Sequence, residues 1–120
     1  MSAKTKKIVA FIFILLPALL TAYSGFVKLS GNEMVVDGLT KMGYGSYIRL
    51  LGIAEIIFVV LLFIPKTYKL GFVLLLSYWG GAAALEVSTR QFPVALVLIT
   101  FAWIGVYLKD RKMFLASGDN

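Results

Sequence analysis

The sequence predicts an all-α polytopic membrane protein: a bundle of four transmembrane helices, with a short extracytoplasmic amphipathic helix between the first and the second. Three observations carry this prediction. The 120 residues are 60% hydrophobic and 15% charged, with a mean hydropathy of +0.89, whereas soluble domains are roughly 25% charged. So short a chain cannot hide that much apolar surface from water. Four apolar runs also follow one another, with basic residues at their ends.

Each apolar run has nearly the ~20 residues that a helix needs to cross ~30 Å of hydrocarbon, where backbone groups must be satisfied internally. We therefore expect one membrane domain over residues 1–120, with transmembrane helices at about 8–27, 47–64, 69–87 and 91–108 and a cytoplasmic tail over 109–120. The polar end of the tail, 116–120, is expected to be disordered. The alternative for the first run is a cleavable signal peptide, since lysines precede it and Ala22-Tyr23-Ser24 closes it.

The lysines and arginines are distributed unevenly between the two sides of this bundle. Eight lie at the N-terminus, in the second-to-third connection and at the C-terminus, and four lie on the other side. The positive-inside rule then places both termini in the cytoplasm, at the inner membrane if the protein is bacterial. The short turn Pro65-Lys66-Thr67 makes the second and third helices antiparallel neighbours. The net charge of +6 is thus a topology signal, and we expect the lipid bilayer, and no nucleic acid, as partner.

The long connection from about Val27 to Tyr47 is expected outside the cytoplasm. Within it, Ser30-Gly31-Asn32-Glu33 has the spacing of a capping box. The apolar residues that follow predict a short amphipathic helix on the bundle mouth or the lipid interface; they are Met34, Val35, Leu39 and Met42. Gly43-Tyr44-Gly45 then predicts a turn into the second transmembrane helix. A flexible loop is the alternative.

Neither cysteine nor histidine occurs in the chain. The usual ligands of zinc, copper, haem and iron–sulfur centres are therefore missing, and no metal site is predicted. Thiol–disulfide chemistry by the chain itself is excluded as well. Proton chemistry would fall to carboxylates, lysine, tyrosine or a bound cofactor.

Glu55 is the most informative residue because it lies about eight residues, or roughly 12 Å, into the second transmembrane helix. A charge near the bilayer centre costs about 2.5–3.5 kcal/mol, so Glu55 should be protonated or paired with a cation inside the bundle. Lys28 is one candidate, because Pro17, Thr21, Ser24 and Lys28 share a face of the first helix that should point inward. Arg49 lies on a different face from Glu55, so its partner would come from elsewhere.

The third helix carries Tyr78, Ala82 and Glu86 on one face. Gly80 and Ala84 have the small-xxx-small spacing of closely packed membrane helices. Glu86 and Arg90 would form a favourable pair if this helix continues that far. The candidate ligand-binding or buried polar cluster therefore comprises Lys28, Glu55, Tyr78, Arg49 and Glu86. The alternative for Lys28 and Glu55 is a purely structural pair that fixes helix order, and no catalytic residue is identified.

In the order and spacing of its motifs the chain resembles the DoxX-like family of small four-helix membrane proteins, from about residue 8 to 108. The matching features are Gly25-Phe26-Val27-Lys28-Leu29, Gly43-Tyr44, Leu51-Gly52-Ile53-Ala54-Glu55, Pro65 and Gly71. The resemblance implies a four-helix membrane fold with Lys28 and Glu55 at the family's recurrent polar positions. One branch of this group looks like a membrane subunit of thiosulfate:quinone oxidoreductase, and other members are linked to redox or thiol stress.

Three functions follow as hypotheses. The first is a membrane subunit that binds a quinone or another small lipophile at Lys28, Glu55 and Tyr78, with a partner protein or an external reductant supplying electrons. The second is a proton-coupled exporter that uses Glu55, although the lysine and arginine bias favours one fixed orientation. The third is a non-enzymatic assembly or accessory protein, acting with a larger partner or as a homo-oligomer.

Overall fold

The computed structural model describes residues 2–41, 43 and 45–114, and these contain five α-helices and no strand, which confirms the predicted all-α class. Met42, Tyr44 and the tail end 116–120, for which a helix position, a turn and disorder are predicted, lie outside the described residues. The helices are α1 (Ala3–Ser30), α2 (Glu33–Lys41), α3 (Ile48–Phe63), α4 (Tyr68–Ser88) and α5 (Val94–Lys109), with 3-10 turns at Gly45–Tyr47 and Arg111–Met113.

Three of the helical segments are long and apolar enough to cross a membrane. These are α1, α3 together with the 3-10 turn that leads into it, and α4. The α5 helix is also apolar but has 16 residues, which corresponds to about 24 Å of helix. The described part of the chain therefore contains three candidate spans by length and composition, and one shorter apolar helix.

The α1 helix is longer than its apolar run predicts because it is capped before the run begins. The Thr5 backbone N–H donates to Ser2 Oγ at 3.2 Å, and the Lys6 N–H donates to the Ser2 carbonyl at 2.9 Å. Ser2 thereby satisfies donors that the first turn of a helix leaves open. As a result, Lys4, Lys6 and Lys7 lie on regular helix.

The short α2 helix is present, but a different residue caps it from the one the sequence suggests. The Asn32 side-chain carbonyl accepts from the Val35 N–H at 3.2 Å, whereas the Ser30 hydroxyl donates back to the Val27 carbonyl at 2.8 Å. Ser30 cannot serve as the cap because α1 continues through it and ends there. Gly31, with φ +76°, then makes the left-handed step between the two helices.

The chain divides into two compact units, which we call the central unit (residues 19–77) and the terminal unit (1–18 with 78–120). In the central unit, α3 and α4 are the neighbours that the short connection predicts. A Cβ on Gly71 would lie 2.5 Å from the Leu62 backbone nitrogen, so only glycine permits this approach. The Thr67 hydroxyl closes the turn by donating to the Leu61 carbonyl at 2.9 Å.

In the terminal unit, the start of α1 packs against α5. A Cβ on Gly105 would lie 2.9 Å from the Ala10 carbonyl oxygen, and the Phe13 and Phe101 ring centroids are 5.3 Å apart. Small residues therefore set this contact too. Gly80 and Ala84 on α4, whose spacing suits close helix packing, are exposed, and outside the backbone of α4 itself no described atom lies within 4 Å of a Cβ built on Gly80.

Candidate functional site

An ion pair in the central unit joins α1 to α3. The Lys28 ammonium donates to Glu55 Oε1, and it also donates to Ser24 Oγ at 2.6 Å, one helical turn earlier on α1. The Glu55 side chain is 2% exposed and that of Lys28 is 12% exposed. The structure thus brings Lys28 and Glu55 together, as the sequence predicts, and adds Ser24 as a direct partner.

Two glycines explain how the pair can form. Gly25 and Gly52 face each other so closely that a Cβ on either one would lie 2.9 Å from the carbonyl oxygen of the other. The stem of Lys28 passes over the same place, since its Cβ would be 3.1 Å from a Cβ on Gly52. Gly52 therefore leaves room both for the backbone of α1 and for the lysine side chain that reaches down to Glu55.

The spacing of these four residues in the sequence is a further signal of this contact, beyond the inward-facing side of α1. Each charged residue follows a glycine at i+3, Gly25 before Lys28 and Gly52 before Glu55, and residues three apart share one face of a helix. Both glycines belong to motifs that carry the family resemblance. A charge and a glycine on one face predict a close helix crossing with the charge beside it.

The polar face of α1 points inward, as predicted. Thr21 is 3% exposed, Pro17 is buried within the helix, and Ser24 is half-buried. Among the residues that the structure describes, no buried side-chain nitrogen or oxygen lacks a hydrogen-bond partner. Since an unsatisfied polar group is costly in an apolar surrounding, this satisfied face allows α1 to carry a lysine and two hydroxyls.

Of the other predicted site residues, Arg49 belongs to the central unit, and Tyr78 and Glu86 belong to the terminal unit. Arg49 is exposed in the first turn of α3, and the salt bridges found within the described ranges do not include it. Tyr78 is half-buried on α4 and belongs to the terminal unit. Within the central unit, the structure therefore brings two of the five predicted residues, Lys28 and Glu55, into contact and adds Ser24 as a partner of Lys28.

Glu86 has a structural partner other than Arg90. Its Oε1 accepts from the Ala95 N–H at 2.9 Å and its Oε2 from the Val94 N–H at 3.2 Å. One carboxylate thus covers the open donors at the start of α5, where a negative charge is also favoured by the helix dipole. The expected Glu86–Arg90 pair does not form because α4 ends at Ser88, before it reaches Arg90.

The pair defines what the site can do chemically. The ammonium of Lys28 can donate a hydrogen bond and hold negative charge on an acceptor oxygen, while the carboxylate of Glu55 keeps that ammonium in position. A metal site has no basis in the described ranges, which bring no three histidine, cysteine, aspartate or glutamate side chains together.

Comparison with known protein families gives a match that covers most of the chain. The model of a family described as the DoxX-like family matches residues 12–107, a stretch that contains Lys28, Glu55 and Glu86. No curated protein and no solved structure is significantly similar to the chain.

Proposed function

The chain belongs to the DoxX-like family, and from that premise we propose an integral membrane protein that binds a small lipophilic molecule of the quinone class beside Lys28 and Glu55. The apolar candidate spans support its place in the membrane. We propose further that α1, α3, α4 and α5 all cross the bilayer and that both termini are cytoplasmic. The bias of lysines and arginines supports this orientation.

The observation that carries the binding proposal is that Lys28 is the accessible member of the pair. Its side chain is 12% exposed against 2% for Glu55. An ammonium has three N–H donors, and within the described part of the chain two of them go to Ser24 Oγ and Glu55 Oε1. The third can serve an acceptor oxygen that approaches from outside the helix pair.

A quinone fits this donor. Its carbonyl oxygen accepts one hydrogen bond, and its ring and tail are apolar, as expected for a ligand that enters from lipid into a site with few polar groups. The chain has no cysteine or histidine, so electrons for any reduction would come from a partner protein or an external reductant. The role of this chain in such a complex would be to hold the ligand and its developing negative charge.

The test is thermal unfolding of the purified protein in detergent, with and without short-chain benzoquinone and naphthoquinone analogues. Wild type is compared with the double variant Lys28→Met/Glu55→Gln, which removes both charges and therefore leaves no buried charge unpaired. We expect a quinone to stabilise wild type by about 2.7 kcal/mol at a concentration of 100 times its Kd. The double variant should show no such stabilisation.

A matched control separates the site from a general effect of charge. Lys41→Met removes an exposed lysine at the end of α2 and should keep the full quinone response. Equal stabilisation of wild type and the double variant would refute binding at the pair. If no quinone stabilises wild type while the double variant is as stable as wild type, the pair serves packing, and an assembly or accessory role replaces this proposal.

A further inference from the structure

The start of α1 and the end of α5 lie side by side in the terminal unit, and in the topology proposed above, with both termini cytoplasmic, the two helices run in opposite directions. Gly105 approaches Ala10 and Ile14, while Phe101, one turn earlier on α5, contacts Phe13. With that direction, positions rise along α1 as they fall along α5. Continuing this register by one turn brings residues 6 and 7 of α1 to the same end of the helix pair as residue 109 of α5.

Five basic residues lie at that end, and we call them the basic end: Lys6, Lys7, Lys109, Arg111 and Lys112. All five are exposed. Lys6 and Lys7 are one turn before Ala10, on the face of α1 that packs against α5. The described residues at this end therefore set five cations against one carboxylate, that of Asp110.

An aromatic cluster folds the chain back at the same end. After the 3-10 turn Arg111–Met113, the Phe114 ring lies 5.2 Å from that of Trp103 and 6.2 Å from that of Tyr107, both on α5. Arg111 and Lys112 are thereby held next to the end of α5. Tryptophan and tyrosine favour the depth of the lipid headgroups, so in a membrane this cluster would favour a position of Arg111 and Lys112 near the phosphates.

We propose that the basic end binds the phosphate group of an anionic glycerophospholipid. Two segments far apart in sequence supply the cations, and the aromatic rings and the exposed apolar side chains of α1 lie beside the acyl chains. Ile8 and Phe11, 51% and 53% exposed, follow directly on Lys7 along α1. A free phosphate ion would use the cations alone, whereas a lipid uses the cations and this apolar surface together.

The experiment measures thermal unfolding of the full chain in neutral detergent during titration with phosphatidylglycerol or with phosphatidylcholine of the same acyl chains. Wild type should respond at a much lower concentration of phosphatidylglycerol. Each lysine or arginine near anionic lipid contributes about fivefold in affinity. The variants Lys6→Gln/Lys7→Gln and Arg111→Gln/Lys112→Gln should therefore each weaken the preference for phosphatidylglycerol by about 25-fold.

Two controls test whether the effect belongs to this site. Lys41→Gln/Arg90→Gln removes two exposed cations that the proposed topology places on the opposite side of the membrane and should retain the wild-type preference, as should Lys6→Arg/Lys7→Arg, which keeps the charges. The proposal is overturned if the control pair loses as much as the site pairs, or if either site pair has no effect. Equal stabilisation by inorganic phosphate would also overturn it, since the ligand would then be the free ion.

Discussion

At the scale of the residue, Lys28 reaches Glu55 because Gly25 and Gly52 leave no side chain at the crossing of α1 and α3. The sequence predicts that these two charges need each other, since an isolated charge in the membrane is costly. It does not reveal the path, which depends on Gly25 and Gly52 bringing two backbones into contact. The sequence predicts Ser24 on the inward face of α1. Its hydrogen bond with the Lys28 ammonium could not be predicted, because it depends on the side-chain rotamer of Lys28.

We predict that Gly52→Ala will destabilise the protein by about 1–3 kcal/mol, the usual cost of overpacking a close contact. The added Cβ would lie 2.9 Å from the Gly25 carbonyl oxygen and 3.1 Å from the Lys28 Cβ. Gly80→Ala is the matched control, because no described atom lies within 4 Å of that position, and it should leave stability unchanged or slightly raised. Titration with a denaturing surfactant in detergent measures the free energy of unfolding of both variants. An equal loss of stability in the two variants would show that Gly52 has no special role.

A double-mutant cycle on the ion pair gives a second prediction. Lys28→Met and Glu55→Gln should each lower stability by about 2 kcal/mol or more, because each leaves a partner without its countercharge. The double variant should lose less than the sum of the two, with a coupling of about 1–3 kcal/mol. The cycle is read from the same surfactant unfolding curves, and strict additivity would mean that the two side chains do not interact energetically.

At the scale of the element, the end of α4 shows how a local motif overrides a charge pattern. The Gln91 N–H donates to the Glu86 carbonyl at 2.7 Å and the Arg90 N–H donates to the Val87 carbonyl at 3.1 Å, the paired bonds of a Schellman motif. Arg90 occupies its left-handed position, with φ 61°. Glu86 and Arg90 have the spacing of a helical ion pair, but the helix stops between them and leaves the Glu86 side chain for the start of α5.

We therefore predict that Arg90→Gly will stabilise the protein by about 0.5–1 kcal/mol, since glycine adopts the left-handed conformation without the cost that a Cβ imposes. Arg90→Ala is the control that removes the same charge while keeping the Cβ, and it should give no gain. Both are compared by thermal unfolding. A gain of equal size in the alanine variant would assign the effect to charge and not to backbone conformation.

The sequence predicts the ends of a helix well only where the apolar run and the helix end at the same residues. The apolar runs indicate α3 and α4 closely, because hydrophobicity falls away at both ends. The start of α1 lies outside its run, since the Ser2 cap sets it. Likewise Asn32 caps α2 only because α1 extends through Ser30, and that extension could not be inferred from the capping pattern alone.

At the scale of the whole molecule, the sequence predicts the all-α class and the membrane setting from composition, which suffices because lipid permits few architectures. The contacts between helices were less predictable. Close approaches occur at Gly71 and Gly105 and at the crossing of Gly25 with Gly52, while the small residues of α4 at Gly80 leave open space. Small residues permit a contact, but which of them are used depends on the packing of all the helices.

The proposed topology can be tested cleanly because the chain has no cysteine. Single cysteines replacing Lys4, Lys66 or Lys112 should be protected from a membrane-impermeant maleimide added to intact cells, whereas cysteines replacing Asp37 or Gln91 should react. All five positions are exposed, so protection would reflect the membrane. Labelling of Lys4→Cys and Lys112→Cys on opposite sides would contradict an even number of spans.

Lys28 and Glu55 are 27 positions apart in the chain, and this separation imposes an order on biogenesis. In the proposed topology, α1 enters the membrane during synthesis before α3 has been made, so Lys28 has no carboxylate partner until α3 follows. Once α3 follows, each charge lowers the cost of inserting the other. We expect a nascent chain truncated before Glu55 to hold the end of α1 at a shallower depth than the full chain, as glycosylation mapping of both lengths would detect; equal depths would contradict this. Complete insertion of α1 would then depend on α3, a helix that is synthesised after it.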